Sequence, residues 1–278
     1  RVALSLKTGR TFGDMTHMQI NGRTIGLSER PYLIAEMSGN HNHSLDRALE
    51  IVTSAAEHGA DAIKLQTYTA DTITLDVDGP GFTIQDEKSL WNGRRLHELY
   101  DEAHTPWDWH APIMEHARKL GIDCFSSPFD ETAVDFLEDL GVPAYKIASF
   151  ESIDLPLIRK VAQTGKPMII STGMASVVEI GEALRAAREA GNEQVCILKC
   201  TSTYPATPEN TNIRTIPNMR DTFGCEVGLS DHTMGTGVSV AATALGAVLI
   251  EKHFTLARAD GGVDSAFSLE PHELQQLR

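Results

Sequence analysis

Two histidines follow two apolar segments near the carboxyl end of the chain, at positions that suit a shared site. His232 comes just after the apolar run at residues 226–229, and His253 just after the run at residues 248–250. If the two runs are neighbouring parallel strands, both imidazoles can converge on one point. Neutral imidazole is a good ligand for divalent first-row metals. The pair therefore predicts a metal site, with a general base or a hydrogen-bonded core histidine as the alternative for each residue.

Polar or ionisable side chains follow all eight short apolar runs of the sequence. A lone serine or threonine after a strand is usually a helix N-cap, and a lone buried lysine can simply pair with a carboxylate. Neither explanation accounts for the whole set. Hydroxyl and ammonium groups bind phosphate and carboxylate oxygens well, so Lys64, Lys146 and the serines predict an anion pocket. The residues at these positions are Glu36, Lys64, Gln66, Ser126, Ser127, Lys146, Ser149, Glu151, Ser171, Thr172, Thr201, Ser202, Thr203, Tyr204, Ser230, Asp231, His232, Glu251, Lys252 and His253.

The apolar runs alternate with stretches of helical periodicity, which predicts βαβ units around a parallel sheet. A chain of 278 residues is close to the ~250 typical of a (β/α)8 TIM barrel, which is the α/β fold that we predict. A doubly wound sheet is the alternative, but no glycine-rich dinucleotide fingerprint follows the first strand. The predicted strands are residues 32–35, 62–65, 122–125, 144–147, 168–170, 195–198, 226–229 and 248–250. The clearest predicted helices are residues 45–57, 131–140, 177–189 and 237–245.

A short hairpin is predicted ahead of the barrel, at residues 17–26. The dipeptide Asn21-Gly22 stands there between short alternating stretches, and both residues accept the positive φ of a type I′ turn. We therefore divide the chain into an N-terminal extension with the hairpin, residues 1–30, and a catalytic barrel, residues 31–278.

Two loops on the predicted catalytic face stand out. The connection at residues 67–107 is unusually long, and long loops in compact domains tend to be functional. It leaves the carboxyl end of the second strand, so we expect it to cover the catalytic face.

His41 and His43 form a His-x-His pair after the first strand. They could bind a metal by themselves, but substrate contact or loop packing is favoured because the other candidate ligands lie on other loops.

Composition narrows the class of protein. The formal net charge of -14 argues against nucleic acid as a partner, which would need a basic face. No apolar run approaches the ~20 residues of a membrane span. The first ten residues also lack the apolar core of a secretory signal, so we expect a cytoplasmic protein.

The cysteines are expected to be free thiols, although Cys196 and Cys200 share a strand face and leave a metal or redox pair as an alternative.

The motifs at the strand ends resemble those of the sialic acid synthase family, in order, over residues 30–275. Within that family, the segments at residues 64–69, 90–100, 104–107 and 199–205 are most similar to those of pseudaminic acid synthases. The motifs that carry the family resemblance are Ile34-Ala35-Glu36, Gly39-Asn40-His41, Lys64-Leu65-Gln66-Thr67, Ser127-Pro128-Phe129, Ala144-Tyr145-Lys146-Ile147, Ser171-Thr172-Gly173-Met174, Cys200-Thr201, Tyr204-Pro205, Gly228-Leu229-Ser230-Asp231-His232-Thr233 and Glu251-Lys252-His253-Phe254-Thr255.

The resemblance implies a metal-dependent enzyme that condenses phosphoenolpyruvate with a 2,4-diacetamido-2,4,6-trideoxy hexose. The product would be a nine-carbon nonulosonic acid, with phosphate released. It implies Mn²⁺ or Mg²⁺ on His232 and His253, where the ion would polarise the sugar aldehyde. Phosphoenolpyruvate is expected at Lys64, Ser127, Lys146, Ser149, Ser171, Ser202 and Ser230. The sugar is expected at Glu36, Gln66, Glu151, Tyr204 and Asp264, with Glu36, Glu151 and Lys146 as the catalytic groups.

Two departures from the family pattern bear on this expectation. The neuraminate enzymes usually have asparagine where Ser202 stands, so the shorter side chain here leaves room for a water-mediated phosphate contact. These synthases also usually carry a C-terminal antifreeze-like domain, which caps the sugar site of the partner in a domain-swapped dimer. That domain is not within residues 1–278, and a homodimer is expected when it is present.

Other functions stay open at this point. The nearest is an N-acetylneuraminate or legionaminate synthase that uses N-acetylmannosamine or a related sugar. A more distant one is a Schiff-base aldolase on the same fold, with Lys64, Lys146 or Lys252 as the imine lysine. The most distant is a non-catalytic sugar-binding protein.

Overall fold

The computed structural model describes residues 18–87 and 89–278, which form a closed barrel of eight parallel strands ringed by helices. Leu249 of the last strand pairs with Tyr32 of the first, so the sheet closes and the doubly wound alternative is wrong. The predicted TIM barrel is confirmed. The predicted extension at residues 1–17 lies outside the described residues. The barrel strands are β3 Tyr32–Glu36, β4 Ala62–Thr67, β5 Asp123–Pro128, β6 Tyr145–Ile147, β7 Met168–Ser171, β8 Val195–Cys200, β9 Glu226–Ser230 and β10 Leu249–His253.

Some of the helices begin at residues whose side chains cap them. Ser44 accepts a hydrogen bond from the Arg47 backbone N–H at the start of the first helix, and Ser176 forms a capping box with Glu179 at the start of the seventh. In the described ranges, no helix is both long and apolar enough to cross a membrane. The helices are α1 Leu45–Glu57, α2 Ala70–Ile73, α3 Leu96–Ala103, α4 Trp107–Leu120, α5 Glu131–Leu140, α6 Leu155–Gln163, α7 Val177–Glu189, α8 Thr215–Phe223, α9 Gly237–Ala244 and α10 Pro271–Leu277.

The predicted hairpin covers the amino-terminal end of the barrel. Its strands are β1 Met18–Ile20 and β2 Arg23–Ile25, and their inward-facing apolar side chains belong to the barrel core. Asn21 and Gly22 join them with φ values of 47° and 77°, as a type I′ turn requires. The Asn21 side chain donates a hydrogen bond to Asp123 at the start of β5. The carboxyl ends of the strands are therefore left as the open face.

Most barrel strands continue one to three residues beyond their predicted ends. For example, β8 ends at Cys200 instead of residue 198, and β10 at His253 instead of residue 250. The sequence analysis ends each predicted strand near its first polar residues. In the barrel, polar side chains that point inward at the carboxyl ends pair with one another, so the strands continue through them. Many candidate site residues consequently stand on strands instead of loops.

The long connection after β4 has secondary structure of its own. It contains α2 and α3, and between them two antiparallel segments exchange backbone hydrogen bonds, from Ile84 N to Arg94 O at 2.9 Å and from Leu96 N to Phe82 O at 2.9 Å. At the tip of this ladder, the Trp91 indole N–H donates to Val263 O at 3.0 Å, in the loop after β10. The connection therefore reaches the loop after β10, whose strand is separated from β4 by β3 alone.

Candidate active site

A cavity of about 60 Å³ lies at the carboxyl end of the barrel, among the predicted site residues. Most of the side chains proposed from the sequence line it. Three do not line it but lie around it: Glu151, Ser202 and Asp264. The cavity is lined by Glu36, Lys64, Gln66, Ser127, Lys146, Ala148, Ser149, Ser171, Cys200, Tyr204, Ser230, His232, Glu251 and His253.

Two lysines and two carboxylates form the charged floor of the cavity. The Lys64 ammonium pairs with Glu36, lies 3.9 Å from Glu251 Oε2, and donates to Ser127 Oγ at 3.3 Å. The Lys146 ammonium pairs with Glu251 Oε1 at 3.2 Å. All four charged side chains are buried. Buried charges require partners, and here the carboxylates and the lysines are partners of one another.

The pKa values of this group follow from burial and from the shared partners. Burial raises the pKa of Glu36 to about 7, although the Lys64 charge opposes it. Burial acts in the same sense on Glu251, but Lys146 and Lys64 outweigh it and lower the pKa of that carboxyl. Burial alone would lower the pKa of Lys64, but Glu251 and Glu36 raise it. Glu251 is therefore the permanent counterion, and Glu36 is poised to change its protonation near neutral pH.

Glu251 is a site residue to which the sequence analysis assigns no role, although it stands among the strand-end residues. It comes two residues before His253 on β10, and alternate residues of a strand face the same side. The same rule that brings His253 into the barrel therefore brings Glu251 in as well. Its position in the strand-end motif Glu251-Lys252-His253 is the signal that identifies it.

Lys252, the residue between them, points the other way. Its ammonium pairs with Asp231 Oδ2 at 2.9 Å and donates to Thr233 O at 2.7 Å. It does not line the cavity. The candidate imine role of Lys252 is therefore wrong, because strand alternation buries this lysine outside the barrel interior.

A cradle of hydroxyl groups lies beside Lys146. The Gly173 backbone N–H donates to Ser149 Oγ at 3.1 Å, and the buried Ser171 Oγ and Ser202 Oγ have no hydrogen-bond partner. A Cβ on Gly173 would lie 2.9 Å from Ser149 Oγ and 3.0 Å from Cys200 Sγ, and would come closer still to Ser202. Buried hydroxyls without partners are costly, so this cradle suits an anion that accepts their hydrogen bonds.

His232 and His253 are brought together as predicted, with ring centroids 5.5 Å apart. His232 Nδ1 lies 2.9 Å from Thr201 O; since a carbonyl only accepts, Nδ1 carries the proton and Nε2 keeps its lone pair. Burial lowers the pKa of His232 to about 4, and burial with the neighbouring His232 lowers the pKa of His253 well below its usual value. The buried His253 Nδ1 has no hydrogen-bond partner. Two neutral imidazoles with available lone pairs fit a divalent metal.

One carboxylate lies beside this pair, and another lies near Lys146. Asp264 Oδ2 lies 3.6 Å from His253 Nδ1 and accepts a hydrogen bond from Ser38, while burial raises the pKa of Asp264 to about 6. Glu151 is partly exposed, but its Oε2 is buried without a hydrogen-bond partner, and burial raises its pKa to about 7. Asp264 thus borders the histidines, and Glu151 offers a proton-binding site on the side of Lys146.

Three residues that were considered as possible metal or redox ligands have other roles in the structure or do not form a pair. His41 is buried, its Nε2 lies 3.2 Å from Thr105 Oγ1, and its ring contacts Trp109, so loop packing accounts for it. Cys196 and Cys200 are both free and buried, and only Cys200 lines the cavity.

Comparisons with known proteins agree with the fold and with the motifs. The structure superposes with a TM-score of 0.83 on the N-acetylneuraminic acid (sialic acid) synthetase of Leptospira borgpetersenii, at 28% identity, covering 95% of this chain and 86% of that one. The architecture is thus that of the sialic acid synthases. The profile of the NeuB family matches residues 51–278.

Two curated relatives are similar over most of the chain. Pseudaminic acid synthase of Helicobacter pylori is 45% identical over 244 residues, which are 88% of this chain and 71% of the relative. Pseudaminic acid synthase of Campylobacter jejuni is 45% identical over 260 residues, 94% of this chain and 75% of the relative. The chain belongs to the NeuB family, the sialic acid synthases, as its strand-end motifs predict.

Proposed function

We propose that this protein condenses phosphoenolpyruvate with a 2,4-diacetamido-2,4,6-trideoxy hexose to give a nine-carbon nonulosonic acid and phosphate, as a pseudaminic acid synthase does. The observation that carries the proposal is one cavity in which a half rich in lysines and hydroxyls meets a pair of neutral histidines. Similarity to pseudaminic acid synthases at 45% identity supports the choice of sugar.

Phosphoenolpyruvate fits the half with the lysines and hydroxyls because it carries a phosphate and a carboxylate. Lys64 and Lys146 would supply charge-assisted hydrogen bonds, and the unpartnered hydroxyls of Ser171 and Ser202 would donate to oxygen atoms. The anion would pair with the two lysine ammonium groups, which Glu251 otherwise neutralises in part. Remaining donors around the anion would come from Ser127, Ser149 and Ser230.

The histidine half suits the aldehyde of the sugar. His232 and His253 would hold Mn²⁺ or Mg²⁺, and such an ion supplies Lewis acidity toward a carbonyl oxygen. Tyr204 stacks on His232 with centroids 4.4 Å apart and closes one side of this region. Gln66 and Asp264 stand where they can bind sugar hydroxyl or acetamido groups. Orientation of the aldehyde carbon toward C3 of phosphoenolpyruvate is the main contribution of these side chains.

The bond changes balance without any further reactant than water. C3 of phosphoenolpyruvate forms a bond to the aldehyde carbon, whose oxygen takes up a proton. Water adds to C2 and loses a proton, which leaves a C2 hydroxyl. This hydroxyl loses its proton as the C2=O double bond forms, the C2–O bond to phosphate breaks, and phosphate leaves with the bridging oxygen. Glu36 and Glu151 both have a pKa raised to about 7 and can hold or accept these protons near neutral pH.

Phosphate release by the full-length protein tests the proposal, with the trideoxy sugar and N-acetylmannosamine compared. We expect turnover of the trideoxy sugar that depends on a divalent metal and is lost with a chelator. Preference for N-acetylmannosamine would make the protein a neuraminate synthase instead. Borohydride trapping of a substrate imine on Lys64 or Lys146 would replace the proposal by a Schiff-base aldolase.

A further inference from the structure

Trp91, at the tip of the long connection between β4 and α4, is fixed over the barrel mouth. Its backbone N–H donates to Ser89 Oγ at 3.2 Å, and its carbonyl accepts from Arg94 N at 3.0 Å. Its indole N–H donates to Val263 O at 3.0 Å, in the loop after β10. The ring is thus held from both ends, which gives it a defined position although it lies on a loop.

The Trp91 ring faces the part of the site that receives the sugar. Its centroid lies 6.2 Å from that of Tyr204, and Tyr204 in turn lies 4.4 Å from His232 and 5.5 Å from Phe267. Phe267 also contacts His253, with centroids 5.0 Å apart. Trp91, Tyr204 and Phe267 therefore form an aromatic wall that begins at the two histidines and ends at the loop.

The aromatic wall presents an apolar surface at the end formed by Trp91. The indole N–H is the single polar group of the Trp91 side chain, and the Val263 carbonyl already accepts its hydrogen bond. Trp91 can therefore offer a substrate hydrocarbon surface only. A hydroxyl placed against it would give up water without gaining a partner from this side chain, whereas a methyl group would gain contact.

We propose that Trp91 is a specificity-determining residue that contacts the C6 end of the sugar and selects a C6 methyl over a C6 hydroxymethyl. The inference rests on the proposed function, which places the aldehyde, C1, beside His232 and His253. C6 is the carbon farthest from C1 along an open-chain hexose. Trp91 stands beyond Tyr204 on the wall that leads away from the histidines, so it is the ring that meets this end.

The test compares two sugars that differ only at C6, N-acetylmannosamine and its 6-deoxy counterpart, with the full-length enzyme. An apolar pocket discriminates against an added hydroxyl by up to about 100-fold, so we expect kcat/KM to favour the 6-deoxy sugar by about 10- to 100-fold. Trp91→Ala and Trp91→Gln should reduce that ratio by about tenfold or more, and Trp91→Phe should retain most of it because an apolar ring remains. The KM for phosphoenolpyruvate should not change in any of them.

Leu90→Ala is the matched control, because Leu90 is the preceding loop residue and is 51% exposed. Leu90→Ala should leave the ratio of kcat/KM between the two sugars at the value of the parent enzyme. A parental ratio in folded Trp91→Ala and Trp91→Gln, with turnover intact, would overturn the inference. Thermal melting shows whether either variant is folded, and Trp91→Gln keeps the test decisive if Trp91→Ala is not. Absence of turnover with every sugar in the parent enzyme would instead overturn the proposed function.

Discussion

Replacing Lys146 with methionine, beside a matched lysine outside the cavity, tests whether Lys146 binds the anion. Lys146 is 2% exposed, and its ammonium pairs with Glu251 at 3.2 Å. Lys146→Met keeps the length and apolar stem of the side chain but removes its charge. Glu251 would retain Lys64, 3.9 Å away, as its counterion. The anion pocket would then hold one lysine against two carboxylates.

The expected losses can be estimated for each role. A charge-assisted hydrogen bond contributes about 1.5–3 kcal/mol, so the affinity for phosphoenolpyruvate should fall by about one to two decades. Removing one partner of a buried ion pair typically costs about 3–5 kcal/mol of folding stability, and the remaining contact between Glu251 and Lys64 should keep the loss at or below the low end of that range.

Lys252→Met is the matched control, because Lys252 is 3% exposed and also pairs with a carboxylate, Asp231, at 2.9 Å. It should lose comparable stability but bind phosphoenolpyruvate as the parent does, since Lys252 points away from the cavity. Calorimetric titration with phosphoenolpyruvate, alongside thermal melting, measures both quantities. Parental affinity in Lys146→Met, or equal losses of affinity in both variants, would refute the assignment of Lys146 to the anion site.

Three further changes test other parts of the site. His232→Ala and His253→Ala should each abolish metal-dependent turnover with the fold retained by circular dichroism; activity at the parental level in low metal would remove that residue from the metal site. Glu151→Gln should stabilise the protein increasingly as pH rises from about 5 to 8, because a carboxyl whose folded pKa is raised from 4.5 to about 7 loses stability as it ionises; a difference in Tm that does not vary with pH would contradict this. Gly173→Ala should weaken phosphoenolpyruvate binding by about 1–3 kcal/mol, since its Cβ would enter the hydroxyl cradle beside Ser149, and unchanged affinity would exclude the cradle from the anion site.

Much of this site could be predicted from the sequence because a parallel barrel imposes a simple rule. Apolar runs mark the strands, and whatever polar residues follow them meet at one end. This rule was sufficient to bring Lys64 on β4, Lys146 on β6 and His253 on β10 into one cavity without knowledge of any contact. The hairpin turn was predicted from a separate signal, the dipeptide Asn21-Gly22, whose residues both have the positive φ of a type I′ turn.

Other features of the site could not be predicted, because they depend on side-chain directions and on contacts between segments that are distant in the sequence. Glu251 and Lys252 are neighbours in sequence but lie on opposite sides of β10, and that assignment requires knowing that the strand continues to His253. Trp91 lies far along the chain from Val263, so its position at the mouth follows from tertiary contacts alone. The packing of His41 against Trp109 is likewise a contact between distant segments.

The fate of the bridging oxygen of phosphoenolpyruvate tests the central claim most directly. The full-length protein would be incubated with a divalent metal, the trideoxy sugar and phosphoenolpyruvate labelled with ¹⁸O between C2 and phosphorus, and the products analysed by mass spectrometry. Condensation at this cavity predicts a nine-carbon acid without the label and an equal amount of inorganic phosphate that carries it. Phosphoenolpyruvate left intact beside the sugar, or label retained in the acid, would contradict the account.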